Sequence, residues 1–206
     1  MTAVETESAA PKVPAVHPLI VRLTHWLNAI AVVIMIMSGW QIYNASPIFA
    51  FAFPGWLTLG GWLAGAIHWH FAAMWLLVAN GLIYLGYGLF SGRIRMRFFP
   101  IDPSEVVRDL REALRGRLAH ADIAHYNGVQ KLFYVGVIGA LILIVLSGLA
   151  IWKPVQLWWL TFVFGGFQGA RLVHFVAMGA IAGFILIHVV MALIVPKTIR
   201  AMIFGR

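Results

Sequence analysis

The chain has 206 residues, of which 62% are hydrophobic and only 11% are charged, and its mean hydropathy is +0.88. Soluble domains average about 45–50% apolar and about 25% charged residues. This composition therefore excludes a soluble domain and predicts an integral membrane protein. The absence of cysteine excludes disulfides, thiolate-bound iron–sulfur clusters, covalently attached haem and a cysteine nucleophile. The net charge of +8 comes without a basic stripe interleaved with aromatic residues, so nucleic acid is not predicted as a partner.

Residues 1–16 are rich in alanine, proline and glutamate and contain neither a basic start nor an apolar run. This composition predicts a short disordered cytoplasmic tail rather than a cleaved signal peptide. The remainder, residues 17–206, is predicted to form one membrane domain. Its four apolar spans are expected at residues 19–43, 66–90, 129–152 and 171–195.

The connection between the second and third spans contains the start signal of a helix. Asp102 supplies a cap, Pro103 occupies the first helical position, and Glu105 places an acid in the first turn. Apolar and basic residues then separate onto opposite faces up to Gly116, and the apolar face consists of Val107, Leu110 and Leu114. This pattern predicts a short amphipathic helix along the cytoplasmic membrane surface.

The basic residues are divided unequally between the two sides of the membrane. In the predicted topology, only Lys153 and Arg171 of the 15 lysines and arginines fall on the side away from the termini. The positive-inside rule then places both termini in the cytoplasm. The predicted fold is an all-α integral membrane protein, a four-transmembrane-helix bundle with both termini inside.

Histidines within the spans are the strongest indication of chemistry, because polar side chains in hydrocarbon are costly and usually functional. His174 and His188 lie fourteen residues apart on the fourth span, which is about 21 Å along a helix and about 40° short of four full turns. His25 begins the first span on the cytoplasmic side, and His70 begins the second span on the outer side. The topology therefore predicts two pairs at two depths, His25 with His188 and His70 with His174. Two haems b, each held by two imidazoles in a four-helix bundle, require this arrangement.

An internal echo selects His70 over His68 as the outer ligand of the second span. The sequence HFAAM from His70 matches HFVAM from His174, and Ser-Gly pairs occur near the outer ends of the first and third spans. The role of His68 is left open by this comparison.

Small and basic residues around the predicted ligands indicate how the haems would be held. Gly39 and Gly148 leave room for a flat macrocycle between helices, although ordinary helix packing explains each glycine equally well. Arg22 and Arg171 each lie three residues before a predicted ligand, so we expect them to bind haem propionates. The alternative is that both arginines are snorkelling anchors at the membrane surface.

The start of the third span contains a polar cluster. Asn127 and Gln130 lie three residues apart and share a helix face, and Lys131 follows them. Their hydrogen-bond donors suit the carbonyl oxygens of a quinone beside the cytoplasmic histidine pair. The alternative interpretation makes them interfacial caps and anchors.

Taken together, these motifs resemble a known family, the bacterial cytochrome b561 group. That group includes the membrane cytochrome b subunits of nickel–iron hydrogenase, formate dehydrogenase and thiosulfate reductase. The resemblance covers residues 17–200. The motifs on which it rests are RLTHW at 22–26, HF at 70–71, YNGVQK at 126–131, and RLVHF at 171–175 followed by His188.

The resemblance implies a dihaem b-type cytochrome that passes electrons between quinone in the membrane and a periplasmic redox partner. It implies His25 and His188 as ligands of the cytoplasmic-side haem, and His70 and His174 as ligands of the periplasmic-side haem. The leading hypothesis is thus an electron-transfer subunit of an oxidoreductase, for instance one with a molybdenum cofactor.

Two other functions and one question of assembly are left open by the sequence. The same fold includes stand-alone enzymes that oxidise superoxide and reduce quinone, in which Lys153 and Arg171 would steer the anion. A transporter or channel without haem would use the histidines as a proton relay. Whether the chain forms a homodimer is also left open.

Overall fold

The structure is a computed structural model that describes residues 17–115 and 126–205. Four of its helices are long and apolar enough to cross a membrane, which confirms the predicted four-span, all-helical fold. The predicted tail, residues 1–16, lies outside the described residues. The helices are α1 (Leu19–Ala45), α2 (Leu63–Phe90), α3 (Arg93–Phe98), α4 (Pro103–Leu114), α5 (Gly128–Trp152), α6 (Trp158–Val163), α7 (Gly166–Ile194) and α8 (Pro196–Phe204).

The predicted spans correspond to α1, α2, α5 and α7, and α4 begins at Pro103 as its start signal predicts. The largest difference is at α7, which begins at Gly166 rather than near Arg171. Gly165 has a φ of +78°, a conformation that glycine adopts without strain, and it turns the chain directly from α6 into α7. The short helices α3, α6 and α8 are not indicated by the sequence, because six to nine residues are too few for a clear hydrophobic period.

The long helices form two hairpins, a first hairpin of α1 and α2 and a second hairpin of α5 and α7. Close backbone approaches are concentrated within each hairpin, and the long helices of different hairpins come near one another at few points. Contact across the hairpins therefore depends on side chains. We call the side where α1 begins and α7 ends the termini side, and the opposite side the loop side.

Hydrogen bonds join α1 and α2 in the termini-side half of the first hairpin. The side-chain amide of Asn80 donates to the backbone carbonyl of Thr24 and to Oδ1 of Asn28, each at 2.7 Å. Asn80 is buried, with 3% of its surface exposed, so this pairing satisfies a polar group where no water is at hand.

An apolar layer joins the two hairpins at mid-depth. Ala31, Val32 and Leu77 of the first hairpin are buried against Ile181 of the second. On α7, Ile181 lies midway in sequence between His174 and His188, and Ala31 and Leu77 each lie about two helical turns from His25 and His70. The layer therefore separates the two levels at which histidines occur.

Helix α4 docks on the termini-side end of α5. The buried carboxylate of Asp109 accepts a 2.7 Å hydrogen bond from the backbone N–H of Gly128, and negative charge is favourable at a helix N-terminus. A Cβ on Gly128 would lie 2.8 Å from the backbone nitrogen of Val106, so glycine is needed for this approach. Val107 and Leu110 of the predicted apolar face of α4 are exposed, so these two side chains do not pack on the protein.

Candidate functional site

Four span histidines meet as two pairs, and each pair takes one residue from each hairpin. On the termini side, the ring centroids of His25 and His188 lie 6.0 Å apart. On the loop side, those of His70 and His174 lie 6.3 Å apart. His68, two residues before His70, is exposed. The structure thus brings together the pairs expected from the sequence, while their role as ligands stays a prediction.

The spacing within each pair fits one metal ion between two imidazoles. A bond between an imidazole nitrogen and a first-row metal is about 2 Å long, and the ring centre lies roughly 1 Å beyond that nitrogen. Two such rings on opposite sides of a metal would therefore have centroids about 6 Å apart. Both pairs have this separation.

The number of protein donors is also informative. No group of three or more metal-binding side chains occurs in the described part of the chain. A site with only two protein ligands suits an iron whose remaining positions are filled by a macrocycle, as in haem. The residues present therefore fit a haem at each level better than a bare metal ion.

The loop-side pair is held by hydrogen bonds that follow the same pattern in both hairpins. Nδ1 of His70 lies 3.0 Å from Oγ of Ser38, and Nδ1 of His174 lies 3.2 Å from Oγ of Ser147. Nδ1 of His174 also lies 3.0 Å from the backbone carbonyl of Ile144. The echo between the two helix pairs is therefore present in side-chain contacts as well as in sequence.

Each serine is followed by a glycine that admits the histidine ring. A Cβ at Gly39 would lie 3.5 Å from Cε1 of His70, and one at Gly148 would lie 3.2 Å from Cε1 of His174. The sequence suggests that these glycines make room for haem. In the structure it is the predicted ligand rings that lie against them, and their contact with haem stays a prediction.

The termini-side pair has aromatic neighbours instead. Phe184 stacks on His188 with centroids 5.6 Å apart and an angle of 10° between the rings, and Trp26 meets His25 edge-on at 5.2 Å. Within the described residues neither imidazole of this pair makes a hydrogen bond. The two levels thus differ in what surrounds the ring nitrogens.

The two arginines expected at the propionates tie the hairpins together at the membrane surfaces. Arg22 donates to the backbone carbonyls of Met202 and Ile203 at the end of α8. Arg171 donates to the backbone carbonyl and hydroxyl of Ser46, and to the side chain of Gln168 at 3.0 Å. Both guanidinium groups are therefore at the predicted depths, and their binding to propionates stays a prediction.

Two buried ring nitrogens have no hydrogen-bond partner among the described residues. These atoms are Nε1 of Trp40 on the loop side and Nδ1 of His17 on the termini side. An unpaired N–H such as that of Trp40 is costly when buried, and a carboxylate reaching it would satisfy it. This orphaned donor, next to Gly39 in sequence, is consistent with an anionic group at the loop-side level.

His17 marks an electropositive region beside the termini-side pair. Burial, together with the nearby guanidinium groups of Arg97, Arg93 and Arg22, lowers the pKa of His17 to about 4. His17 is therefore neutral at physiological pH. The surrounding cations suit an anion at this level.

Asn127, Gln130 and Lys131, which are expected at a quinone, make hydrogen bonds and a charged contact within the protein. Oδ1 of Asn127 accepts from the backbone N–H of Gln130 at 2.7 Å, and Oε1 of Gln130 accepts from the backbone N–H of Asn127 at 3.1 Å. This reciprocal pair is a capping box at the start of α5. Lys131 donates to the backbone carbonyl of Pro100 at 3.3 Å and lies 3.9 Å from the carboxylate of Glu105. The capping alternative is thus realised, while the amide N–H groups of Asn127 and Gln130 are not used by the box.

Sequence reasoning missed the polar residues that position these elements. Asn80 and Asn28 carry a usable signal, because asparagine in an apolar span usually marks a contact between helices. Asp109 carries a weaker one, since an acid on a short surface helix is ordinarily solvated. The Ser-Gly pairs are visible in the sequence as repeats, but their contact with histidine depends on helix rotation.

Lys153 and Arg171, the two cations of the superoxide alternative, have different contact partners. Nζ of Lys153 lies 4.8 Å from the centroid of the Trp152 ring, and Arg171 is bound to Ser46 and Gln168.

Comparison with known proteins agrees with the motifs. A family model described as prokaryotic cytochrome b561 matches residues 16–205. The chain is also 53% identical over 191 residues to the putative protein-methionine-sulfoxide reductase subunit YedZ1 of Azospira oryzae, an alignment that covers 93% of this chain and 96% of that protein. Because the family model spans nearly the whole chain, the expected resemblance is confirmed, and the chain belongs to the prokaryotic cytochrome b561 family.

Proposed function

We propose that this chain is the membrane cytochrome subunit of an oxidoreductase and transfers electrons between the quinone pool and a periplasmic partner through two haems b. The observation that supports this most strongly is the presence of two cross-hairpin histidine pairs with ring separations of 6.0 and 6.3 Å. Membership of the cytochrome b561 family implies b-type haem. When bound, each haem would supply a one-electron carrier.

In this proposal the protein fixes the distance and the medium between the two electron carriers. His174 and His188 lie on one helix, about 21 Å apart along its axis, and each belongs to a different pair. The apolar layer around Ala31 and Ile181 fills the space between the levels and keeps water and mobile charge out of it. The shared helix α7 thus holds the two sites at a constant separation.

Arginines and a quinone site complete the proposal. Arg22 and Arg171 exchange part of their present contacts with backbone carbonyls for haem propionates, which are stronger acceptors. Asn127, Gln130 and Lys131 offer amide and ammonium donors to a quinone on the termini side. That side is the cytoplasmic one in the proposed orientation, with both termini inside the bacterial inner membrane.

The partner is proposed to be a periplasmic oxidoreductase that meets the loop side. The relative from Azospira oryzae is named as a subunit of a putative protein-methionine-sulfoxide reductase. A reductase of methionine sulfoxide in proteins is therefore the first partner to test. A self-sufficient superoxide:quinone oxidoreductase has no comparable support, and a haem-free relay does not fit the family.

Haem quantitation on histidine variants tests the proposal. We expect the purified protein to show a b-type spectrum with two haems per chain. His174→Ala and His188→Ala should each retain one haem, because each removes a ligand from a different pair. The matched control is His68→Ala, which removes an exposed histidine of α2 and should keep both.

A purified protein without haem would refute the proposal and favour the relay. A histidine variant that keeps two haems would refute the ligand assignment for that residue.

A further inference from the structure

The two loop-side histidines are each seated on a serine of their own hairpin, in a repeated arrangement. Ser38 of α1 contacts Nδ1 of His70 on α2, and Ser147 of α5 contacts Nδ1 of His174 on α7. Both serines are completely buried, so their hydroxyl groups bond only to the protein.

The position of the serine proton decides the direction of these contacts. A serine hydroxyl has one proton to donate. The hydroxyl of Ser38 donates to the backbone carbonyl of Ile34 at 2.6 Å, and that of Ser147 donates to the carbonyl of Leu143 at 2.8 Å. With the proton used in this way, each serine oxygen can only accept from the imidazole.

The backbone supports the same direction. Nδ1 of His174 also lies 3.0 Å from the carbonyl oxygen of Ile144, and for His70 the direction follows from its contact with Ser38. A carbonyl oxygen is only an acceptor. Nδ1 of both histidines is therefore protonated, and Nε2 is the nitrogen with a free lone pair.

From this geometry we infer that Ser38 and Ser147 are positioning residues that make the loop-side haem the more electron-rich of the two. The inference rests on the proposed function. An imidazole that donates its N–H to an acceptor becomes a stronger electron donor through its other nitrogen. Such a ligand stabilises ferric over ferrous iron and lowers the midpoint potential.

The termini-side pair provides the contrast within the same molecule. In the described part of the chain, neither His25 nor His188 has a hydrogen-bond acceptor at its ring nitrogens, and aromatic rings surround them instead. The two sites thus have identical ligand types but different support. The serines give the protein a means of separating the potentials of two otherwise similar haems.

Redox titration of serine variants tests the inference. Ser38→Ala and Ser147→Ala should each raise the midpoint potential of one haem, and the same one in both variants, because the two serines act on opposite ligands of one iron. The double variant should show a larger shift than either single variant. The electron paramagnetic resonance signal of that haem should change, and the other haem should keep its potential and its signal.

Thr24→Val is the matched control. Its hydroxyl donates to the carbonyls of Ile20 and Val21 in the same helical pattern and has no hydrogen bond to a histidine among the described residues, so neither potential should move.

Unchanged potentials in both serine variants would overturn the inference, as would shifts that fall on different haems. Loss of the loop-side haem from Ser147→Ala would also contradict it, because the carbonyl of Ile144 still holds the His174 ring. A wild-type protein with no haem would instead refute the proposed function.

Discussion

At the scale of single residues, the two Ser-Gly pairs differ in how closely the glycine meets the histidine ring. At Gly148 an added Cβ would lie 3.2 Å from Cε1 of His174, which is tighter than ordinary van der Waals contact, and 3.5 Å from its Nδ1. At Gly39 the closest atom of His70 would lie 3.5 Å away, which is an ordinary contact. The same substitution should therefore have different effects at the two positions.

We expect Gly148→Ala to displace the His174 ring and to weaken the loop-side haem. The ring cannot move freely, because its Nδ1 is held by Ser147 and by the carbonyl of Ile144. Gly39→Ala should keep both haems and gain up to about 1 kcal/mol, since alanine is the better helix former. Haem content and electron paramagnetic resonance spectra of the two variants measure the effect on the haem, and thermal melting measures the stability. Equal haem loss from both variants would contradict the steric argument.

Part of this residue-level picture is available from the sequence. The cost of histidine in hydrocarbon points to His25, His70, His174 and His188, and helix geometry assigns their depths. The sequence does not reveal the serine contacts, because a serine in a span is satisfied by its own helix whether or not a histidine adjoins it. Only the rotation of one helix against its neighbour decides that second contact.

At the scale of elements, the docking of α4 on α5 depends on one glycine and one carboxylate. Gly128→Ala should detach α4, because the new Cβ would lie 2.8 Å from the nitrogen of Val106 and 3.0 Å from the carbonyl carbon of Glu105. Backbone atoms cannot yield as a flexible side chain does. The separation would also break the hydrogen bond from Gly128 to Asp109.

Hydrogen–deuterium exchange of the α4 amides measures this detachment. A loss of about 1 kcal/mol in docking, typical of a charge at a helix terminus, corresponds to roughly fivefold faster exchange. The matched control is Gly136→Ala in the same helix, where an added Cβ meets nothing within 4 Å. Unaltered exchange in the Gly128 variant would show that α4 does not depend on this contact.

The long helices can be predicted from the sequence, whereas most of the short ones cannot. Hydropathy defines the four spans, and the start of α4 follows from its cap and proline. The sequence offers no comparable signal for α3 or α8, which are short and basic, or for α6, which lies in an aromatic segment. The burial of Asp109 also lies beyond the sequence pattern, since it arises only when α4 folds back on Gly128.

At the scale of the whole molecule, the histidine pairs lie at the boundary between the two hairpins. Each pair joins a residue of the first hairpin to one of the second. Within the described residues, other links between the hairpins include the central apolar layer and ring contacts such as that of Tyr43 with Phe175. Helices in a bilayer have no hydrophobic driving force for association beyond packing. An iron bound at each pair would therefore act as a cross-link, and a ligand that binds only the assembled state stabilises it.

We expect the double variant His25→Ala/His70→Ala, which lacks one ligand at each level, to lose the fixed arrangement of its hairpins. The chain contains no cysteine, so a pair of introduced cysteines can be spin-labelled without any native cysteine having to be replaced. Labels at the exposed positions Val33 of α1 and Val189 of α7 report the distance between hairpins. That distance should be narrowly distributed in the parent and broadly distributed in the variant.

The control is a pair of labels at Val33 and Leu82 of α2, which reports a distance within the first hairpin. This distribution should stay narrow in both proteins, because the hydrogen bonds of Asn80 do not involve the histidines. An inter-hairpin distribution that stays equally narrow without haem would show that side-chain packing alone sets the arrangement.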